Sequence, residues 1–226
     1  MNYYKYRNNS ELIESFSEKI ATYLRDTLAK KEEVWIVVCG GTTPRNLFVN
    51  LSNRNLDWNR VNIMLTDERL VSKDSEESNE RMVRDSLIQN NAYNAKFYSL
   101  NTCCKSMNNE NSLDLSFLET ILNIDLLILG MGIDGHTASF FPQDPNLYKL
   151  IDINNKELFS YVDVADLSTQ RITLTYGLLS KSKKTCLYIT GKEKKQTFET
   201  AQILNDANLM PISVFMQNPI DVYWCP

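Results

Sequence analysis

Apolar positions along this 226-residue chain recur with two different patterns. After Ser10, a residue type suited to capping a helix, Leu12, Ile13, Phe16, Ile20, Tyr23, Leu24 and Leu28 return every three or four residues. That spacing predicts an amphipathic helix. Further along, short runs are apolar throughout and rich in β-branched residues: VWIVV at 34–38, VNIMLT at 61–66, IDLLILG at 124–130 and TCLYIT at 185–190. These read as strands. Helical patterns at Asn79–Gln89, Ser112–Leu122 and Glu193–Leu204 accompany them. Strands that are apolar on both faces need cover on both, which predicts an α/β fold: an open, mostly parallel sheet with helices on either side. No internal repeat is visible, and the most linker-like stretch, Asn101–Ser112, is short and flanked by apolar patterns. A single domain over residues 1–226 is expected.

Composition narrows the function classes. Hydrophobic residues at 43% and charged residues at 23% are ordinary for a globular protein and exclude a disordered chain or a coiled coil. With 24 basic and 28 acidic residues the net charge is −4, so no general nucleic-acid or anionic-membrane partner is expected and any basic site must be local. The N-terminal MNYYKYRNNSELIES lacks the apolar stretch of a secretory signal, and no apolar run reaches the roughly 18 residues a membrane span needs. A cytoplasmic setting follows as the expectation. Five cysteines (Cys39, Cys103, Cys104, Cys186 and Cys225) show no CxxC spacing and have one histidine to join them. Reduced, mostly buried thiols are expected rather than a metal site, with Cys103 and Cys104 exposed in their polar stretch.

In a parallel sheet, ligands bind beyond the carboxyl ends of the strands. Each of the four strands is followed by an unusual loop: GGTTP at 40–44, DER at 67–69, GMGIDGHT at 130–137 and GKEK at 191–194. Gly40 and Gly41 allow close backbone approach, Thr42 and Thr43 add hydroxyls, and Pro44 suits the first turn of a helix, so this loop is a candidate phosphate cradle. Asp67 and Arg69 supply an acid that can orient a base and a guanidinium that matches an anion. Gly130, Gly132 and Gly135 imitate a dinucleotide-binding GxGxxG. Pro142 and Pro145 leave little room for the long helix such a site requires, and the nearest strand-end acid, Asp163, lies 28 residues past Gly135. No nicotinamide or flavin is expected. Instead His136, the only histidine, shares a glycine-rich loop with Asp134, a setting suited to general-base chemistry. Arg171, which opens RITLT, and Lys194 or Lys192 in GKEK are candidate anion contacts.

Together GGTTP, DERLV with SNERM, GMGIDGHTASFFP, RITLT and TGKEK resemble, in this order and over about Val34–Lys195, the 6-phosphogluconolactonase family. The resemblance implies a modified Rossmann-like fold shared with glucosamine-6-phosphate deaminases, without a dinucleotide, other cofactor or metal. It implies hydrolysis of 6-phospho-D-glucono-1,5-lactone in the oxidative pentose phosphate pathway. By motif, His136 is the base that activates water, and Asp67 and Asp134 help orient it. Arg69 contacts substrate, at the phosphate or at the lactone, and steadies developing negative charge, while Gly40, Gly41, Thr42, Thr43, Arg171 and Lys194 hold the phosphate; Lys194 takes the last place of the family's GxxK spacing. The alternatives are a deaminase, whose corresponding segment carries a Glu where this chain has Phe141, and a phosphosugar-binding regulator without turnover. Cys39 departs from the small or hydroxyl residue more usual before GGTTP.

Overall fold

The computed structural model describes residues 1–101, 123–163 and 169–226. The predicted helix at Ser112–Leu122, the linker-like stretch beyond Asn101, Cys103 and Cys104 lie outside them. Along the chain the described elements are β1 (Asn2–Lys5), α1 (Asn9–Leu28), β2 (Val34–Val38), α2 (Arg45–Ser52), β3 (Val61–Leu65), β4 (Asp67–Arg69), α3 (Asn79–Ser86) and β5 (Lys96–Tyr98). There follow β6 (Leu126–Leu129), α4 (Leu147–Leu150), β7 (Phe159–Val162), β8 (Arg171–Leu174), α5 (Tyr176–Leu179), β9 (Thr185–Thr190), α6 (Lys192–Leu204) and β10 (Ile220–Cys225).

The four strands expected from the apolar runs are β2, β3, β6 and β9. They form the centre of a seven-stranded sheet ordered β1-β10-β9-β6-β2-β3-β5, in which every pairing is parallel. Every residue of β2, β3 and β6 is buried, as runs apolar on both faces require. The cover is two-sided. Tyr4 of β1 stacks on Tyr223, which in turn stacks on Phe16 of α1, whereas the neighbouring Tyr3 meets Phe198 of α6. Successive strand residues point to opposite faces, so α1 and α6 flank the sheet on opposite sides.

The helix after Ser10 is present, but its cap is Asn8. Asn8 Oδ1 accepts the Glu11 N–H at 2.9 Å, and Glu11 reaches back to the Arg7 N–H at 3.0 Å. Ser10 has Ile13 three residues on and cannot form that reciprocal pair. The edge strands β1 and β5 carry no long apolar run of their own, and β10 lies just inside β1. β1 and β10 come from opposite ends of the chain and pair Asn2 with Asp221.

A second, antiparallel sheet ordered β4-β8-β7 lies beside the first. DER is therefore a short strand, not a free loop: it continues from β3 after one residue and pairs with the start of RITLT.

At the amino-terminal end of the main sheet, fully buried Asp125 accepts the Trp35 N–H at 3.0 Å and pairs with Lys31 and Lys183 at 2.7 and 3.0 Å. Both lysines are partly exposed and can turn to water, so the lasting loss on removing the carboxylate is at the backbone N–H. Asp125→Ala is expected to cost about 1–3 kcal/mol in urea unfolding, the penalty of a buried donor left unpaired. Asp125→Asn keeps an acceptor and should cost less; equal losses would show that the amide bond is not what matters.

Candidate active site

The order of the main sheet reverses between β2 and β6: from β2 the chain proceeds through β3 to β5, and from β6 through β9 to β10. Loops on either side of such a reversal diverge and leave a crevice. Into it lead the turn after β2 and the loop after β6. Gly41 has φ +87°, a left-handed conformation that glycine adopts without strain. From the far side α6 contributes Lys194, whose Nζ lies 3.4 Å from Thr43 Oγ1. Burial lowers the pKa of Lys194 below the ordinary lysine value. Lys192 is exposed and does not reach the cavity, so the two lysines left open by spacing alone are separated by their positions on the helix.

After β6 the chain makes a tight turn closed by Gly132 N–H to His136 C=O at 2.9 Å and by Thr137 Oγ1 to Gly130 C=O at 2.8 Å. Asp134 Oδ1 accepts the His136 backbone N–H at 3.1 Å and lies 2.6 Å from His136 Nδ1. Burial opposes the charge on Asp134, but the imidazole and backbone hydrogen bonds outweigh it and hold the carboxyl below its ordinary range. An ionised carboxylate only accepts hydrogen bonds, so Nδ1 carries the proton and the Nε2 lone pair is left available. The ring rests against Phe141, centroids 4.9 Å apart. No long helix follows the glycines; Pro142 and Pro145 lie in turns ahead of the four-residue α4.

Gly132 is needed here for space. A Cβ at this position would overlap the His136 imidazole and the Asp134 carboxylate. Gly132→Ala is expected to push the pair apart; if the histidine acts as a base, turnover falls by about 10–100-fold, the cost of misplacing such a group by about an ångström. Steady-state kinetics, with a melting curve to verify folding, measure it.

Asp67 is placed differently from the expectation that it orients His136. It makes no hydrogen bond to the imidazole. Its carboxylate accepts Thr66 Oγ1 at 2.9 Å and Ser139 Oγ at 2.7 Å, and sits 4.0 Å from Arg171 Nη1. It ties the loop carrying His136 to β4 through Ser139, a residue with no sequence signal, and offsets part of the charge on Arg171. Glu68, between Asp67 and Arg69 in DER, is 1% exposed. It accepts the backbone N–H groups of Arg69, Asn79 and Glu80, and burial still pushes its pKa up.

The antiparallel register sets Arg69 directly opposite Arg171. Like charges opposed across strands destabilise the pair. Arg69 Nη1 donates to Glu77 C=O and Asn79 Oδ1 at 3.0 and 2.8 Å, whereas Arg171 has the Asp67 carboxylate only at 4.0 Å and its buried Nε has no hydrogen-bond partner among the described residues. Burial, followed by the charge of Arg69, lowers the pKa of Arg171. Its guanidinium lies over Phe141, 5.3 Å from the centroid. Phe141 thus stands between the imidazole and this cation.

All the candidate residues except Asp134, which stands behind His136, line one cavity of about 230 Å³. Its cations are Lys194, Arg69 and Arg171. Among the described residues no group of three or more His, Cys, Asp or Glu side chains is arranged to hold a metal ion.

Residues 7–224 match the family described as glucosamine-6-phosphate isomerases/6-phosphogluconolactonase. The chain belongs to that family. A 6-phosphogluconolactonase of Pseudomonas aeruginosa is 34% identical over 96% of this chain and 92% of its own length. The crystal structure of a 6-phosphogluconolactonase from Shewanella baltica OS155 superposes with a TM-score of 0.88 at 31% identity, covering 100% of this chain and 98% of that one. A monomeric glucosamine-6-phosphate deaminase shares the fold, with a TM-score of 0.77 at 16% identity over 100% of this chain and 97% of that one. The chain thus shares its fold with both a lactonase and a deaminase structure.

Proposed function

We propose that this protein is a 6-phosphogluconolactonase: it hydrolyses 6-phospho-D-glucono-1,5-lactone to 6-phospho-D-gluconate within a single domain, with His136 as general base. The observation that carries this reading is the Asp134–His136 pair beside a cavity lined by the cations Arg69, Arg171 and Lys194. His136 Nε2 takes a proton from water as the water oxygen attacks the lactone carbonyl. Asp134 meanwhile stabilises the imidazolium that forms. Collapse of the tetrahedral intermediate breaks the bond from the carbonyl carbon to the ring oxygen, and the imidazolium returns the proton to that oxygen. The new carboxylic acid then ionises to water.

Arg69, Arg171 and Lys194, with the N–H groups and hydroxyls of Gly40–Thr43, take the 6-phosphate in this scheme. An anion between the two opposed arginines offsets their mutual repulsion, which favours binding. Phe141 favours the lactonase over the deaminase reading. It gives the imidazole an apolar neighbour where ring opening and deamination need a further acid or base.

The cytoplasm is the proposed setting. Cys39, Cys186 and Cys225 are buried free thiols, and burial pushes Cys39 and Cys186 up to about 12, which leaves them unreactive. Among the described residues no helix is long and apolar enough to cross a membrane.

The test is lactone hydrolysis by purified protein measured against the spontaneous rate, alongside ammonia release from glucosamine 6-phosphate. Acceleration of the first without the second is expected. Ammonia release with no lactone turnover would overturn the reading.

A further inference from the structure

Buried Asn79, at the start of α3, has its side chain shared between two elements of the site. Its Oδ1 accepts Arg69 Nη1 at 2.8 Å and the Gly41 N–H at 3.3 Å, while its Nδ2 donates to the Asp67 C=O at 3.0 Å. The carboxamide also fills the space a Cβ on Gly40 would need. Gly40 therefore has to be glycine for Asn79 to be where it is. Asn79 is held from behind by Glu68, which accepts its backbone N–H at 2.8 Å.

We propose that Asn79 is a positioning residue for the anion side of the cavity: one carboxamide fixes the Gly40–Gly41 turn against Arg69 and so sets the distance between the backbone cradle and the guanidinium. This rests on the phosphosugar reading above. An amide suits the task because it is neutral and bifunctional. It satisfies a cation and an N–H on one side and a carbonyl on the other, without placing a negative charge beside the incoming phosphate. A carboxylate at 79 would bind Arg69 more strongly but would face the Asp67 carbonyl and repel the ligand.

The experiment compares Asn79→Ala, Gly40→Ala and the double variant, with Asn79→Ser as a smaller change should Asn79→Ala fail to fold; melting curves establish that each is native. Three quantities are read: KM and kcat for the phosphorylated lactone, the dissociation constant of inorganic phosphate, and hydrogen exchange of the segment containing Gly41. Loss of the shared hydrogen bonds should raise KM and the phosphate dissociation constant about tenfold, leave kcat within about threefold, and speed Gly41 exchange. Gly40→Ala should do the same by displacing an intact Asn79. The double variant should be no worse than the worse single one, because the new Cβ then occupies vacated space. The proposal fails if phosphate affinity stays within about twofold of wild type in Asn79→Ala, if kcat falls as far as KM rises, or if the two losses simply multiply. Phosphate binding and exchange are read without turnover. A wild type that binds phosphate but leaves the lactone untouched would therefore sink the functional reading while still deciding the role of Asn79.

Discussion

Replacing His136 by alanine is expected to lower kcat for the phosphorylated lactone by about 10²–10⁴-fold, the usual contribution of a general base. KM should change little, because in the proposed mechanism the side chain offers a lone pair to the reacting water rather than a contact to the phosphate. Asp134→Asn gives the complementary result. An amide at 134 can donate to Nδ1, which shifts the ring proton to Nε2 and removes the lone pair that must accept from water. Its kcat should fall toward that of His136→Ala, and the two losses should not add, since both remove the same proton acceptor. Stopped-flow measurement is needed, since the lactone also opens spontaneously. Undiminished turnover in His136→Ala would remove the histidine from the mechanism.

The double variant Arg171→Ala with Lys194→Ala is expected to lose about 10²–10⁴-fold in kcat/KM on the phosphorylated substrate, from two hydrogen bonds between charged partners worth roughly 1.5–3 kcal/mol each. Most of that loss should lie in KM. On unphosphorylated glucono-lactone the same variant should resemble wild type, because the lost groups have nothing there to bind. Equal losses on both substrates would place these cations at the carbonyl instead of the phosphate. There is a pH signature as well. Burial lowers the pKa of Lys194, so on the alkaline side its charge is lost before that of a solvated lysine and KM rises there; Lys194→Ala should flatten that rise. Binding an anion works in the opposite direction and holds the proton on the lysine in the complex.

How far the site was legible in the sequence depended on distance along the chain. His136 and Asp134 are two residues apart, so a turn alone brings them together, and the glycines around them announce that turn. The four loops could be assigned to one end of the sheet because runs apolar throughout imply parallel strands, and parallel strands put every carboxyl end on the same side. The lysine choice was not local. Lys192 and Lys194 differ in which side of α6 they occupy relative to the sheet, and only packing determines that.

Asp67 shows the same limit from the other side. As a letter beside Arg69 it belongs with the histidine's supports, yet the chain turns immediately into β4 and aims its carboxylate at Ser139 and Arg171. Glu68, next to it, is a buried acceptor for the start of α3. Its partners lie eleven and twelve residues away, across a segment with no regular pattern.

What the sequence determined by itself is what periodicity and short-range chemistry encode: the central strands, the flanking helices α1, α3 and α6, the α/β class, and the Asp134–His136 pair in its glycine-rich turn. Tertiary structure decided everything that depends on pairing between distant segments. It joined β1 to β10 from opposite ends of the chain, built the second sheet, and set Arg69 against Arg171. It also placed Asn79 between the Gly40–Gly41 turn and Arg69. Such contacts have no local signature, because an edge strand or a buried amide is stabilised by partners whose sequence separation leaves no period to detect.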